Sequence, residues 1–172
     1  MRTTYIIDFD STFTQVEALD ELAQKKKKNH PDRESIYKQI ENLTHLSMEG
    51  KLSFRESLHK RVSLLQANSD HLKQLVTRLK KKISASFLRN KTFFEKHSDD
   101  VLIVSGGFKE FITPVVLPYH IRKENIYANS FLFDDLGNIV GYDDTNPLSE
   151  EGGKVKRLIA LKLPGDTHAT SH

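Results

Sequence analysis

The chain has 172 residues and a mass of 19.7 kDa, which is room for about one domain at ~100–200 residues per domain. It is 37% hydrophobic and 28% charged with a formal net charge of +3, a balance that argues against wholesale disorder and against a membrane protein. It has no cysteine, which excludes disulfides, thiolate nucleophiles and cysteine metal sites. No apolar run approaches the ~20 residues that span a bilayer, so no membrane partner is expected. Met1 is not followed by a basic region and a long apolar stretch, so no secretory signal is read and the expected location is cytoplasmic.

The run Thr4-Tyr5-Ile6-Ile7-Asp8 is β-branched and aromatic and ends on an acid, which predicts a buried strand that delivers carboxylates at its C-terminal end. Residues 15–82 are helical in pattern. Val16, Leu19, Leu22 and Ala23 share one face, as do Ile36, Ile40 and Leu43, and later Leu72, Leu75, Val76 and Leu79. The lysine runs Lys25 to Lys28 and Lys80 to Lys82 could neutralise phosphates. In helical surroundings such runs read as solvated faces, and with no RNP, zinc-finger or KH pattern no nucleic-acid partner is expected.

A helix over 87–96 should feed a second strand, Val101-Leu102-Ile103-Val104, that ends at Ser105-Gly106-Gly107. A helix over 108–116 should leave it. Strand, helices, strand, helix is the order of a parallel α/β sheet. The apolar stretches 125–133 and 139–142 flank Asp134-Asp135-Leu136-Gly137-Asn138 and predict a hairpin with a Gly-Asn turn. A last helix is expected over 153–163, stopped by Pro164-Gly165, after which 166–172 reads as too polar and too short for another core strand. The expected organisation is an α/β core of residues 1–14 and 83–172 with an inserted helical unit, 15–82.

Asp8-Phe9-Asp10-Ser11-Thr12 puts two carboxylates two residues apart at a strand end, where ligands of open α/β sheets bind. Such a pair suits a divalent metal together with nucleophilic or acid/base work; the plain alternative is a turn that ends the strand. Ser105-Gly106-Gly107 ahead of a helix offers a hydroxyl and unencumbered N–H groups to an anion such as phosphate, though an ordinary βα turn would look the same. Lys154, after Gly152-Gly153, could bring a positive charge to that anion or be a solvated helix start.

Taken together, Asp-x-Asp-Ser-Thr, a helical insert, a strand ending in Ser-Gly-Gly and then Lys154 resemble the haloacid dehalogenase superfamily, and within it phosphoserine phosphatases. The closest match is in the insert, at Met48-Glu49-Gly50-Lys51-Leu52-Ser53-Phe54, Ser57-Leu58 and Lys60-Arg61-Val62-Ser63-Leu64-Leu65, with Glu17 nine residues after Asp8. The resemblance implies a Rossmann-like parallel sheet with residues 15–82 as a helical cap, and an enzyme that hydrolyses O-phosphoserine with Mg²⁺ in L-serine biosynthesis. By the same resemblance Asp8 is the nucleophile and Asp10 the acid/base. Ser105 and the N–H of Gly106 hold phosphoryl oxygens, and Lys154 neutralises charge. Mg²⁺ is bound by Asp8 and Asp10. Arg61 takes the substrate carboxylate, Glu17 its ammonium group, and Met48 and Phe54 form an apolar lid.

The family pattern also calls for a further strand ending in Gly-Asp-Gly-x-x-Asp about twenty residues beyond the lysine, and the 172 residues contain no such motif. The expectation is therefore that the last core strand is missing, with residues 5–8 left as an exposed apolar edge open to self-association. The metal would lack a carboxylate, with Asp143, Asp144 and Asp166 the first substitutes to consider. Two further readings accompany the phosphatase: a truncated, non-catalytic chain that binds phosphoserine or a partner, and a phosphotransferase to another alcohol such as homoserine.

Overall fold

A computed structural model describes residues 3–24, 31–150, 152–153 and 167–170, the last four by their backbone alone. The first strand, β1 (Thr4–Ile7), runs into a tight turn and then into the helices α1 (Ala18–Gln24), α2 (Pro31–Met48), α3 (Phe54–Leu65) and α4 (Ser69–Leu79). Two short helices, α5 (Ala85–Arg89) and α6 (Lys91–His97), lead into β2 (Val101–Phe108), followed by α7 (Lys109–Val116) and β3 (Ile126–Asn129). The hairpin β4 (Phe131–Phe133) and β5 (Ile139–Tyr142) comes next, and β6 (Thr167–Thr170) is the last element described.

The main sheet has the order β3-β2-β1-β6, and all of its pairings are parallel. Val101, Leu102, Ile103 and Val104 are all buried, because both faces of a parallel strand are covered; hence its unbroken apolar run. The fold class read from the sequence, a parallel α/β sheet with a helical insert after the first strand, is the one observed. Among the described residues no helix is long and apolar enough to cross a membrane.

One expectation is overturned. Residues 167–170 form a strand that pairs with β1 from Thr4↔Thr167 to Ile7↔Thr170, so β1 has a strand on each side and is not an exposed edge. The argument for self-association through that edge falls with it. The segment Thr-His-Ala-Thr looked too polar because a side-chain pattern reports burial, whereas an outermost strand needs only its backbone N–H and C=O groups to join a ladder.

Smaller departures follow local rules. The helix expected over 87–96 is interrupted at Asn90, which separates α5 from α6. The stretch 125–133 divides at Ser130: its first half joins the parallel sheet and its second half pairs with β5. The hairpin turn is held by Asp134, whose Oδ1 accepts from the N–H groups of Leu136 and Asn138. The expected helix over 153–163 lies outside the described residues apart from its first position.

The segments on either side of the helical insert are fastened together. Thr14 and Ile83 form an antiparallel bridge, Gln15 N–H donates to the Lys82 carbonyl (2.7 Å), and Ser84 donates from its N–H to Phe13 (2.9 Å) and from its hydroxyl to Thr12 (2.6 Å). A single apolar cluster runs from Ile7, Phe9 and Phe13 to Leu22, Leu58 and Leu75 of the insert and to Phe94, Phe108 and Phe111. The insert is thereby held over the C-terminal end of β1.

Candidate active site

Asp8 follows the last residue of β1 and is buried, its Oδ1 accepting from the N–H of Phe9 at 2.7 Å. The chain then turns back on itself at Ser11, whose φ of +57° is in the left-handed region. This turn brings Asp10 to the start of α1, where its Oδ1 accepts from the N–H of Ala18, the first helical residue, at 2.8 Å. Burial above all, and then the negative charges of Glu17 and Asp8, hold the Asp10 carboxyl well above the usual carboxylate range, against the opposing effects of the Ala18 N–H and Arg61.

The second strand meets this turn. The β2–β3 ladder is regular to Val104↔Tyr127 and resumes at Phe108↔Asn129, so Ser105, Gly106 and Gly107 stand opposite Ala128 alone and bulge out of the ladder. Ser105 is fully buried, and its Oγ accepts from the N–H of Gly107 at 2.9 Å. A Cβ placed on Gly107 would stand 2.9 Å from Asp10 Oδ2 and 3.2 Å from Ser105 Oγ, so only glycine lets these groups meet. On Gly106 a Cβ would stand 2.7 Å from the tip of the Phe54 ring, which lies directly on that backbone.

The insert contributes a buried cation. Arg61 is 6% exposed; its Nε donates to the Ser57 carbonyl (3.3 Å), one terminal nitrogen to Thr44 Oγ1 (3.5 Å), and its guanidinium carbon lies 6.0 Å from the Phe54 ring centre. Burial lowers its pKa, while the carboxylates of Asp20, Glu17 and Asp10 raise it. Glu17 accepts from the Ser11 hydroxyl at 2.8 Å, which ties the insert to the Asp8–Asp10 turn.

Asp8, Asp10, Ser105, Gly106, Glu17, Phe54 and Arg61 thus come from β1, β2, α3 and the segment before α1 to one region. Met48 does not join them: it ends α2 and is 62% exposed, so of the two expected lid residues only Phe54 packs over the site. Lys154 and Asp166 lie outside the described residues. The Asp143 carboxylate accepts from the N–H and hydroxyl of Thr145, and Asp144 belongs to the same exposed loop. Among the described residues no group of three or more His, Asp or Glu side chains could hold a metal ion.

Three polar residues escaped the sequence reading. Asp20, one helical turn after Glu17, accepts from Thr44 Oγ1 (2.8 Å), and burial pushes its carboxyl up to about 6. Its i, i+3 spacing from Glu17 was the signal available. Thr44 carried none. Asn129 closes an otherwise apolar strand, and a polar residue there was a signal left unused.

No family model matches the chain. It is 31% identical over 155 residues to the chloroplastic phosphoserine phosphatase of Arabidopsis thaliana, an alignment that covers 90% of this chain and 50% of that protein. To the phosphoserine phosphatase of Rattus norvegicus it is 28% identical, over 90% of this chain and 65% of that one. The chain therefore spans about half to two thirds of the length of these curated relatives. Among solved structures, a phosphoserine phosphohydrolase-like protein from Francisella tularensis superposes with a TM-score of 0.81 at 25% identity, covering 98% of this chain and 77% of that one. With the strand-end aspartates, the Ser-Gly-Gly bulge and the helical insert now placed on a parallel sheet, the chain is similar in both sequence and fold to phosphoserine phosphatases.

Proposed function

We propose that the chain hydrolyses phosphomonoesters through an aspartyl phosphate, with O-phosphoserine as substrate. The observation that carries this reading is the meeting of Asp10 with Ser105 and Gly107 beneath Phe54, where a carboxyl whose pKa burial raises lies beside a bulge that offers a hydroxyl and backbone N–H groups. Asp8 Oδ attacks phosphorus, and the bond from phosphorus to the seryl oxygen breaks as Asp10 gives that oxygen its proton. Water then attacks phosphorus, Asp10 takes its proton, and orthophosphate leaves as the Asp8 carboxylate is restored. The Ser105 hydroxyl and the Gly106 N–H hold phosphoryl oxygens, and Lys154 is assigned by resemblance to neutralise charge there.

In this reading residues 15–82 form a cap over a core of 1–14 and 83–172, a division supported by the fastened crossing at Thr14 and Ile83. Arg61 would take the substrate carboxylate and Glu17 its ammonium group, with Phe54 as the lid. The Asp8 carboxylate and the Asp10 backbone carbonyl, hard oxygen donors, fit Mg²⁺, which keeps several waters and binds through few carboxylates. When bound, it would neutralise charge shared by Asp8 and the phosphate. The test is phosphate release from O-phosphoserine by the purified 172-residue chain with Mg²⁺, using Asp8→Asn as the control. Turnover abolished by that substitution supports the reading; none in the unaltered chain, or turnover that survives it, overturns it.

A further inference from the structure

Asn129, the last residue of β3, has no exposed surface. Its side-chain nitrogen donates to the Gly106 carbonyl at 3.0 Å and to the Leu148 carbonyl at 3.1 Å, while its Oδ1 has no hydrogen-bond partner among the described residues. Chemistry fixes the orientation of the amide, because turning it over would set its oxygen against two carbonyl oxygens. A buried acceptor left unpaired is costly, and native chains retain few of them.

Both carbonyls matter to the site. Leu148 is anchored: its side chain packs with Ile6, Leu102 and Val104, its N–H donates to Asn146 Oδ1 (3.0 Å), and the Asn146 amide donates to Ala128 (2.9 Å). Gly106 lies in the bulge, where the ladder supplies its carbonyl with no regular partner. Asn129 therefore ties the bulge to a fixed point.

Peptide planarity gives this tie its consequence. The carbonyl of Gly106 and the N–H of Gly107 belong to one rigid unit, so holding the first aims the second. That N–H is the one that donates to Ser105 Oγ. A hydroxyl that accepts from the backbone keeps its own proton to give, and an anion needs donors. We propose that Asn129 is a positioning residue: by clamping the Gly106–Gly107 peptide it makes Ser105 Oγ an acceptor from Gly107, leaving the Ser105 proton to be donated to a phosphoryl oxygen. The phosphate half of this proposal rests on the function given above; the clamp does not.

Asn129→Leu keeps the volume and removes both N–H groups, and Asn129→Asp replaces the amide by a group that can donate only while protonated. Amide hydrogen exchange of the ligand-free chain, resolved at Gly107, reads the clamp directly. Exchange at Gly107 should quicken about tenfold or more in Asn129→Leu, and in Asn129→Asp at pH values where the new carboxyl is ionised, with the Leu75 amide in α4 unchanged as a sign of an intact fold. Orthophosphate should bind about tenfold to a hundredfold more weakly to Asn129→Leu at every pH, the loss of one donor to a charged group. In Asn129→Asp both phosphate affinity and turnover should approach those of the unaltered chain at low pH and fall away as the new carboxyl ionises, a pH profile that mere destabilisation would not produce. Unchanged Gly107 exchange overturns the clamp, even if Asn129→Leu fails to fold and only Asn129→Asp can be measured. An unaltered chain that binds no orthophosphate overturns the phosphate half together with the proposed function, while Gly107 exchange still decides the clamp.

Discussion

Asp10 and Gly107 approach so closely that a methyl group on the glycine would stand 2.9 Å from the aspartate's Oδ2, with Ser105 Oγ 3.2 Å and Ile112 Cδ1 3.3 Å away. Gly107→Ala should therefore push apart the two halves of the site. Overpacking of this kind costs typically ~1–3 kcal/mol. Gly141→Ala, in β5 with nothing within 4 Å of the new methyl, is the matched control and should cost much less. Urea unfolding of the two variants checks the difference, and turnover should fall only in Gly107→Ala.

The raised pKa of Asp10 gives a prediction in which stability and activity part. A carboxyl whose folded pKa lies above its unfolded value stabilises fully below the unfolded value, and that contribution is lost as pH rises through the folded value. Asp10→Asn keeps an oxygen to accept from Ala18 and removes the ionisation. It should be more stable than the unaltered chain at neutral pH, with the difference vanishing in acid. Turnover of phosphoserine should nevertheless drop about 10²- to 10⁴-fold for want of a general acid, and less for an aryl phosphate whose leaving group needs no proton. Denaturation across pH together with the two rates makes the test; a variant less stable at neutral pH would count against a raised Asp10 pKa.

What could be read in the sequence divides along the type of force involved. Strands β1 and β2 are legible because burial on both faces leaves an unbroken apolar run, and the insert because its apolar residues recur every three or four positions. That Asp8, Asp10 and Ser105 come together is legible because each stands at the C-terminal end of a strand of one parallel sheet. Strand β6 was not, since a pairing made by backbone groups leaves no mark on the side chains. The roles of Asp20 and Asn129 were hidden for a related reason: each is defined by partners far along the chain, Thr44 for the first and Gly106 and Leu148 for the second. The division at Ser130 turns on which neighbour each half pairs with, a tertiary choice made between two similar apolar stretches.

Asp20 offers a cleaner titration than Asp10, because its carboxyl is pushed up to about 6 chiefly by burial and keeps the Thr44 hydroxyl as a fixed donor. Between the unfolded value near 4 and that folded value, stability should decline with rising pH by up to about 3 kcal/mol, at ~1.4 kcal/mol per pH unit. In Asp20→Asn this decline should be missing. The two stability curves should coincide below about pH 4 and separate up to about pH 6, with the variant the more stable. Parallel curves across that range would mean that Asp20 is ionised at little cost, with Arg61 compensating its burial.

Arg61 gives the test of substrate choice. Its guanidinium is buried beside Phe54 and, among the described residues, hydrogen-bonds only to Ser57 and Thr44 and forms no ion pair, although three carboxylates act on it. A guanidinium carries five N–H donors, so one held by so few partners retains the capacity to take a carboxylate by two parallel bonds. A charge-assisted bond is worth roughly 1.5–3 kcal/mol, so Arg61→Ala should cut kcat/KM for O-phosphoserine by on the order of tenfold to a hundredfold. A phosphomonoester without a carboxylate should lose much less. Arg61→Lys keeps the charge but not the planar fork, and should recover only part of the difference. The two substrates are to be measured side by side on each variant, since loss of the cation also leaves Asp20, Glu17 and Asp10 uncompensated and would lower both rates together. Equal losses on both would make Arg61 a counter-charge that holds the insert together and would remove it from substrate recognition.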